Sequence, residues 1–347
     1  MDYEIIAGIA VPLISLIIFF AALIFFWEKI FNAFSLARYK NLQRVHDNEV
    51  PRLGGLFIYL SLWMILFLDA NVNSLFKNIL ISSIPIFLIG LKEDIFHNTS
   101  PFQRLFFITL SCLFFFFLNP IEFPKIDIPI ISNLLSIRPV EIIFFVFSIL
   151  IVSNGSNFID GMNGLLPLTI ISQLISILFL SSIFADKEVE KIIYLLGFPL
   201  IVFFLFNYPF GKIFIGDLGA YCYGFFVSLL VITFFGRNND LLSWNAVIIL
   251  VYPSFEVLFS VFRKKNPFDA DNLHLHTLFF KLINKKFNNR LLSNNLTTFV
   301  MSIFFMAPIS IVFIYNSLFN LLIVLILYVL LYLVTYNILL RMTNESN

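Results

Sequence analysis

Apolar runs of bilayer length, interrupted by short polar knots, dominate this chain. Asking for roughly 17–25 apolar residues per span, and allowing shorter buried ones, predicts about eleven transmembrane helices. They centre near residues 16, 61, 84, 111, 147, 174, 199, 227, 252, 307 and 330. The run at 77–91 is the weakest, and N-P-I-E-F-P-K-I-D-I-P at the start of 119–140 is too proline-rich for a span, which predicts a short amphipathic or hairpin excursion there. The first run, beginning at Ile5, is longer than a signal-peptide core and has no basic region before it, so it is expected to remain as a helix. No internal repeat or long linker divides the chain, and a single bundle over residues 1–347 is expected.

Composition agrees with this pattern. Of 347 residues 60% are hydrophobic, 12% are charged and 47 are phenylalanine, more apolar surface than a soluble core can hide. The expected class is therefore an all-α polytopic membrane protein. A net charge of +1 gives no reason to expect a nucleic-acid partner. Cys112 and Cys222 both fall in apolar runs and are expected to pack as free thiols.

Charge sets the orientation. With the N-terminus outside, the inner segments hold 16 of the 22 lysines and arginines, leaving Lys77, Lys125, Arg138, Lys187, Lys191 and Arg237 outside. The C-terminus is then cytoplasmic. The same assignment puts all four histidines, nine of the 13 glycines and the acids Glu93, Asp94, Asp160, Asp217, Asp269 and Asp271 in or beside inner segments. Loop polarity alone would populate both sides, so this one-sidedness predicts a site on the cytoplasmic face.

The segments concerned are 44–55, 90–104, 154–165, 207–219 and 263–292. They include R-V-H-D-N-E-V-P-R-L-G-G, G-L-K-E-D, N-F-I-D-G-M-N-G-L, N-Y-P-F-G-K-I-F-I-G-D-L-G and N-P-F-D-A-D-N-L-H-L-H. Each meets a predicted span, where side chains can converge at the membrane surface. Glycines let an anionic ligand approach backbone N–H groups, and helix N-termini favour phosphate. Asp94, Asp160 and Asp217 offer hard oxygens suited to magnesium, which commonly bridges carboxylates to substrate phosphates. Taken singly, each motif also serves as a cap or turn.

In this order the segments resemble the polyprenyl-phosphate N-acetylhexosamine-1-phosphate transferases, filed as glycosyl transferase family 4, from about Arg44 to His276. The resemblance implies an enzyme of the bacterial inner (plasma) membrane with its active site on the cytoplasmic face. It implies transfer of an N-acetylhexosamine-1-phosphate from a UDP-sugar to polyprenyl (undecaprenyl) phosphate, with release of UMP. Magnesium, or manganese in its place, is the implied cofactor, and a homodimer is compatible with the family. The implied roles are a metal ligand at Asp217, a uracil-stacking ring at Phe214, and nucleotide- and metal-proximal groups at Asn157, Asp160 and Asn163. Further roles are a diphosphate grip at His274 and His276, a basic nucleotide contact at Arg52, and an acidic pair at Glu93 and Asp94 of which Asp94 is the favoured base. Glu256 matches an acidic position of the family, although a salt bridge to Arg263 two helical turns on would also explain it.

Two departures from the family pattern bear on substrate. Glu93-Asp94 stands where paired aspartates are usual, and D-G-M-N-G at 160–164 stands where D-G-x-D-G is common. The latter form resembles the surface-polysaccharide and O-antigen branch. H-L-H-T replaces the triple-histidine segment of the phospho-MurNAc-pentapeptide transferases of peptidoglycan synthesis, so a small amino sugar is expected over that alternative donor. A lipid flippase, the rival from another class, would carry polar residues along several mid-spans and a counterpart site outside, and mid-span charge is nearly absent.

Overall fold

The computed structural model describes residues 50–68, 73–265, 271, 273–311 and 317–344. The predicted first span with its outer N-terminus, residues 44–49 of the first polar segment, and Asp269 lie outside the described residues. Fourteen helices and no strand occur among the described residues. In chain order they are α1 (Gly54–Leu68), α2 (Ser74–Ser82), α3 (Ile84–Phe96), α4 (Pro101–Leu118), α5 (Pro129–Leu135), α6 (Arg138–Ile159) and α7 (Leu165–Ile183). There follow α8 (Lys187–Asn207), α9 (Gly216–Arg237), α10 (Trp244–Ile249), α11 (Val251–Arg263), α12 (Leu275–Phe287), α13 (Arg290–Ile311) and α14 (Leu318–Asn344).

Helices α4, α6, α7, α8, α9 and α14 are long and apolar enough to cross a membrane, and α2 with α3, bent by 44° at Ser83, makes a seventh. The chain is a multi-pass helical membrane protein. These six or seven are the described spans among the eleven predicted. α1 is a shorter apolar helix, and the span expected near 252 is two pieces, α10 and α11. Proline explains both breaks. Pro85 and Pro253 lack the N–H that would reach the carbonyls of Ile81 and Ile249, so the ladder is interrupted just before each. The proline-rich excursion after α4 contains only α5, seven residues with none buried.

Helix α9 is the axis of the bundle. Every residue from Gly216 to Gly236 is buried, and α1, α3, α6 and α7 pack around it. α14 instead turns Phe319, Ile326, Leu330, Val334 and Ile338 outward, where lipid is the apolar solvent. The two ends of α9 are chemically distinct. At its C-terminus Arg237 pairs with Glu188 and Asp186, beside the excursion whose Glu122 backbone abuts Gly236. At its N-terminus gather the polar segments at 51–55, 93–104, 157–164 and 211–217.

Candidate active site

The site is assembled by backbone before side chains act. Phe214 N–H donates to the Pro51 carbonyl, and the N–H groups of Gly54 and Gly55 donate to the Phe214 and Ile215 carbonyls at 2.9 and 2.7 Å. The R-L-G-G segment is thereby laid along K-I-F-I-G-D, which carries Arg52 to Asp217 across 165 residues of sequence. α9 begins at Gly216, whose φ of +74° requires glycine. The N–H groups of Asp217 and Leu218, orphaned at a helix start, donate to Asp94 Oδ1 and Oδ2 at 2.8 and 3.0 Å. Asp94 thus caps the central helix from α3, and a Cβ on Gly216 would lie 2.6 Å from its carboxylate.

A charged cluster surrounds this junction. Arg52 Nη2 donates to Asp217 Oδ1 at 2.7 Å, and its Nε is 3.6 Å from Asp94 Oδ1. Arg104 Nη1 lies 3.5 Å from Asp217 Oδ2 and donates to the Tyr221 hydroxyl. Burial opposes the charge on Arg52, but Asp217, Asp94, Asp160 and Glu93 outweigh it and raise its pKa. Asp160 ends α6 at the cluster's edge. Burial pushes its carboxyl well above the usual range against the pull of Arg52, and the charges of Asp217 and Asp94 add to the rise.

Glu93 faces elsewhere. Its Oε2 accepts from the N–H and the hydroxyl of Thr99, at 2.9 and 2.6 Å, and so ties down the turn into α4. That turn continues as a capping box between Ser100 and Gln103, with Pro101 opening α4 and placing Arg104 one turn in. Of the acidic pair, Asp94 reaches the cluster by contact, while Glu93 reaches it only through its field.

The turn at 157–164 forms the other wall. Asn157 and Asp160 lie one helical turn apart at the end of α6, and neither side chain has a hydrogen-bond partner among the described residues. Asn163 is buried. Its N–H donates to Asn294 Oδ1 and its carbonyl accepts from Thr298, both on α13, while its side-chain amide is unpaired among the described residues. Gly164 N–H donates to Asn207 Oδ1.

The histidines meet this turn from behind. His274 and His276 are buried and stack in parallel with centroids 5.5 Å apart. His276 Nε2 faces Gly161 so closely that a Cβ there would lie 2.6 Å away. Burial and the neighbouring His274 push His276 down to about 4, which keeps it neutral at pH 7. His274 Nδ1 pairs with Glu256 at 2.9 Å, and its Nε2 lies 3.7 Å from Asp271.

Glu256 is held by groups other than the expected one. It does not bridge to Arg263; its partners are His274, the Leu275 N–H and the Tyr332 hydroxyl. Residues seven apart on a helix sit about 10 Å apart along the axis, whereas His274 lies in direct contact with Glu256. Arg263 pairs instead with Asp271. Arg104, Asn207, Asn294, Tyr332 and Tyr336 were not singled out by sequence. Asn294, in S-N-N at the start of a long and largely apolar helix, carried a usable signal.

Among the described residues no three His, Cys, Asp or Glu side chains form a ready-made cage. Magnesium, however, commonly takes one or two carboxylates and completes its shell with water and substrate phosphate. Asp217 together with the unpartnered oxygens of Asp160 and Asn157 suits that mode.

A family model described as Glycosyl transferase family 4 matches residues 76–235. An undecaprenyl-phosphate alpha-N-acetylglucosaminyl 1-phosphate transferase of Thermotoga maritima is 30% identical over 247 residues, 70% of this chain and 72% of the relative. A probable undecaprenyl-phosphate N-acetylglucosaminyl 1-phosphate transferase of Bacillus subtilis is 24% identical over 67% of this chain and 66% of its own length. A phospho-N-acetylmuramoyl-pentapeptide-transferase of Dictyoglomus thermophilum is 29% identical over 65% of this chain and 73% of its own length.

Proposed function

This chain belongs to glycosyl transferase family 4, and from that premise we propose that it transfers N-acetylhexosamine-1-phosphate from a UDP-sugar to undecaprenyl phosphate, releasing UMP. The observation that carries the reading is the cluster of Asp217, Asp94 and Asp160 around Arg52 where four polar segments meet the ends of membrane helices. Such a cluster serves a reaction between a water-soluble anion and a lipid-borne one.

In that reaction a lipid phosphate oxygen forms a bond to the sugar-linked β-phosphorus, and the bond from that phosphorus to the oxygen bridging it to the α-phosphorus breaks, leaving UMP. Asp217, with Asp160 and Asn157, would hold magnesium, whose charge supplies Lewis-acid stabilisation of the transferring and leaving phosphates. Arg52 and Arg104 neutralise the acids and orient Asp217. Phe214, between the Pro51 and Gly54 contacts, offers a ring to the uracil. His274 and His276 support the donor's diphosphate. A phosphate monoester is largely deprotonated at pH 7, its second pKa being near 6. Asp94, with both oxygens committed to backbone N–H groups, therefore acts chiefly by placing Asp217.

Purified protein given undecaprenyl phosphate and a panel of UDP-N-acetylhexosamines should release UMP, stop in EDTA, and run backwards from labelled UMP. Detection of UDP would overturn the mechanism even if lipid-linked sugar formed. UDP-MurNAc-pentapeptide belongs in the panel because pentapeptide transferases are among the relatives; the H-L-H-T segment favours the smaller donor.

The site is proposed to face the cytoplasm of a bacterial inner membrane, in keeping with the 16-to-6 distribution of basic residues. Reporters fused after residues 100, 215 and 275 should read cytoplasmic, and those near 130 and 187 the opposite side. A reversed reading at 275 would remove the histidines from the donor's compartment.

A further inference from the structure

Helix α14 lies beyond the family match at 76–235, and its outward face is mostly apolar, with Asn337 and Arg341 exposed near its C-terminal end. Its buried face carries Tyr328, Tyr332 and Tyr336, each one helical turn from the next. Two of the three hydroxyls are engaged. Tyr332 donates to Glu256 Oε2 at 2.7 Å, and Tyr336 accepts from Arg263 Nη1, with the guanidinium 5.2 Å over its ring. The Tyr328 hydroxyl has no hydrogen-bond partner among the described residues.

The partners of these two tyrosines are the residues that fix Asp271 and residues 273–276. Glu256 Oε1 takes His274 Nδ1 and the Leu275 N–H, while Arg263 holds Asp271 and donates to the Leu273 carbonyl at 2.9 Å. A carboxylate as buried as that of Glu256 is costly unless its lone pairs are filled, so its position follows its donors. With Nδ1 committed to Glu256, His274 has only Nε2 left, and its ring plane sets that of the stacked His276 against Gly161. A shift at Tyr332 would therefore be felt at the 160–164 turn.

We propose that Tyr332 and Tyr336 are positioning residues: through Glu256 and Arg263 they hold the stacked histidines in register with the donor's diphosphate. The inference rests on the function proposed above. Partners that orient a histidine through a carboxylate commonly change affinity or rate by about 10–100-fold when removed from metal sites. The effect sought here is at the lower end of that range.

The test compares Tyr332→Phe, Tyr336→Phe and Tyr328→Phe. It measures kcat, the KM for UDP-N-acetylglucosamine, the KM for undecaprenyl phosphate, and the Kd for UDP by titration. Tyr332→Phe and Tyr336→Phe should each raise the donor KM and the Kd for UDP about tenfold and leave the lipid KM unchanged. Tyr328→Phe should leave all four within about twofold, since no hydrogen bond is lost. A merely structural role would reduce the folded fraction, lowering apparent kcat while moving neither KM nor Kd, and that outcome overturns the proposal. So does an equal effect in Tyr328→Phe. If the wild-type protein binds UDP but transfers nothing from any donor, the proposed reaction fails, while the Kd comparison still decides the role of the tyrosines; a wild-type protein that does not bind UDP overturns both.

Discussion

Asp217→Asn should abolish turnover while leaving the protein in the membrane. Asparagine keeps the shape of the side chain and one acceptor oxygen, so the contact with Arg52 and the cap of α9 by Asp94 can persist. What is lost is the negative charge that would hold a divalent cation against the substrate phosphates. Loss of such a clamp removes several kcal/mol of transition-state stabilisation, and each 1.4 kcal/mol is about tenfold, so kcat should fall by about 10³ or more. The measurement is release of labelled UMP at saturating lipid. A variant within about tenfold of wild type would mean that the cation is held elsewhere, with Asp217 only an anchor for Arg52.

The convergence of the polar segments was readable because each charged group sits on a short knot between apolar runs, and knots on one face of a membrane have few places to go. Asp94, Asp160, Asp217 and Arg52 come together on that logic, although no spacing in the chain relates residue 52 to residue 217. The division of labour between Glu93 and Asp94 was not readable. Adjacent residues on a helix point about 100° apart, and only the packed structure decides which one meets α9 and which meets Thr99.

The tyrosines of α14 illustrate a second limit. Tyr332 reaches Glu256 across 76 residues, and a tyrosine in an apolar helix looks from sequence like packing or an interfacial anchor. Helix interruptions were legible in principle. Pro85 and Pro253 are visible in the chain, but hydropathy averages over a window and does not register a missing N–H. Hence the pattern found the runs near 84 and 252 without finding that each is broken.

Arg52 is where the next largest loss is expected. Its guanidinium reaches Asp217 through Nη2 and approaches Asp94 through Nε, two acids from different helices met by one planar fork. Arg52→Gln leaves Asp217, Asp94 and Asp160 facing one another with Arg104 as the remaining cation in contact, so like-charge repulsion should move Asp217 and weaken donor binding. Truncating one partner of a buried charge pair costs about 2–5 kcal/mol. With 35% of the Arg52 side chain exposed, water screens part of that cost and the lower end applies. The expected loss in kcat/KM for the UDP-sugar is about 30- to 100-fold. Arg52→Lys separates charge from geometry. A lysine restores the positive charge but is a compact point donor and cannot engage two acids in one fixed plane, so it should recover only part of the loss. Full recovery in Arg52→Lys would make Arg52 a simple counter-charge. No recovery, in a variant that unfolds at the wild-type temperature, would show that the fork which aligns Asp217 with the start of α9 is what the reaction requires.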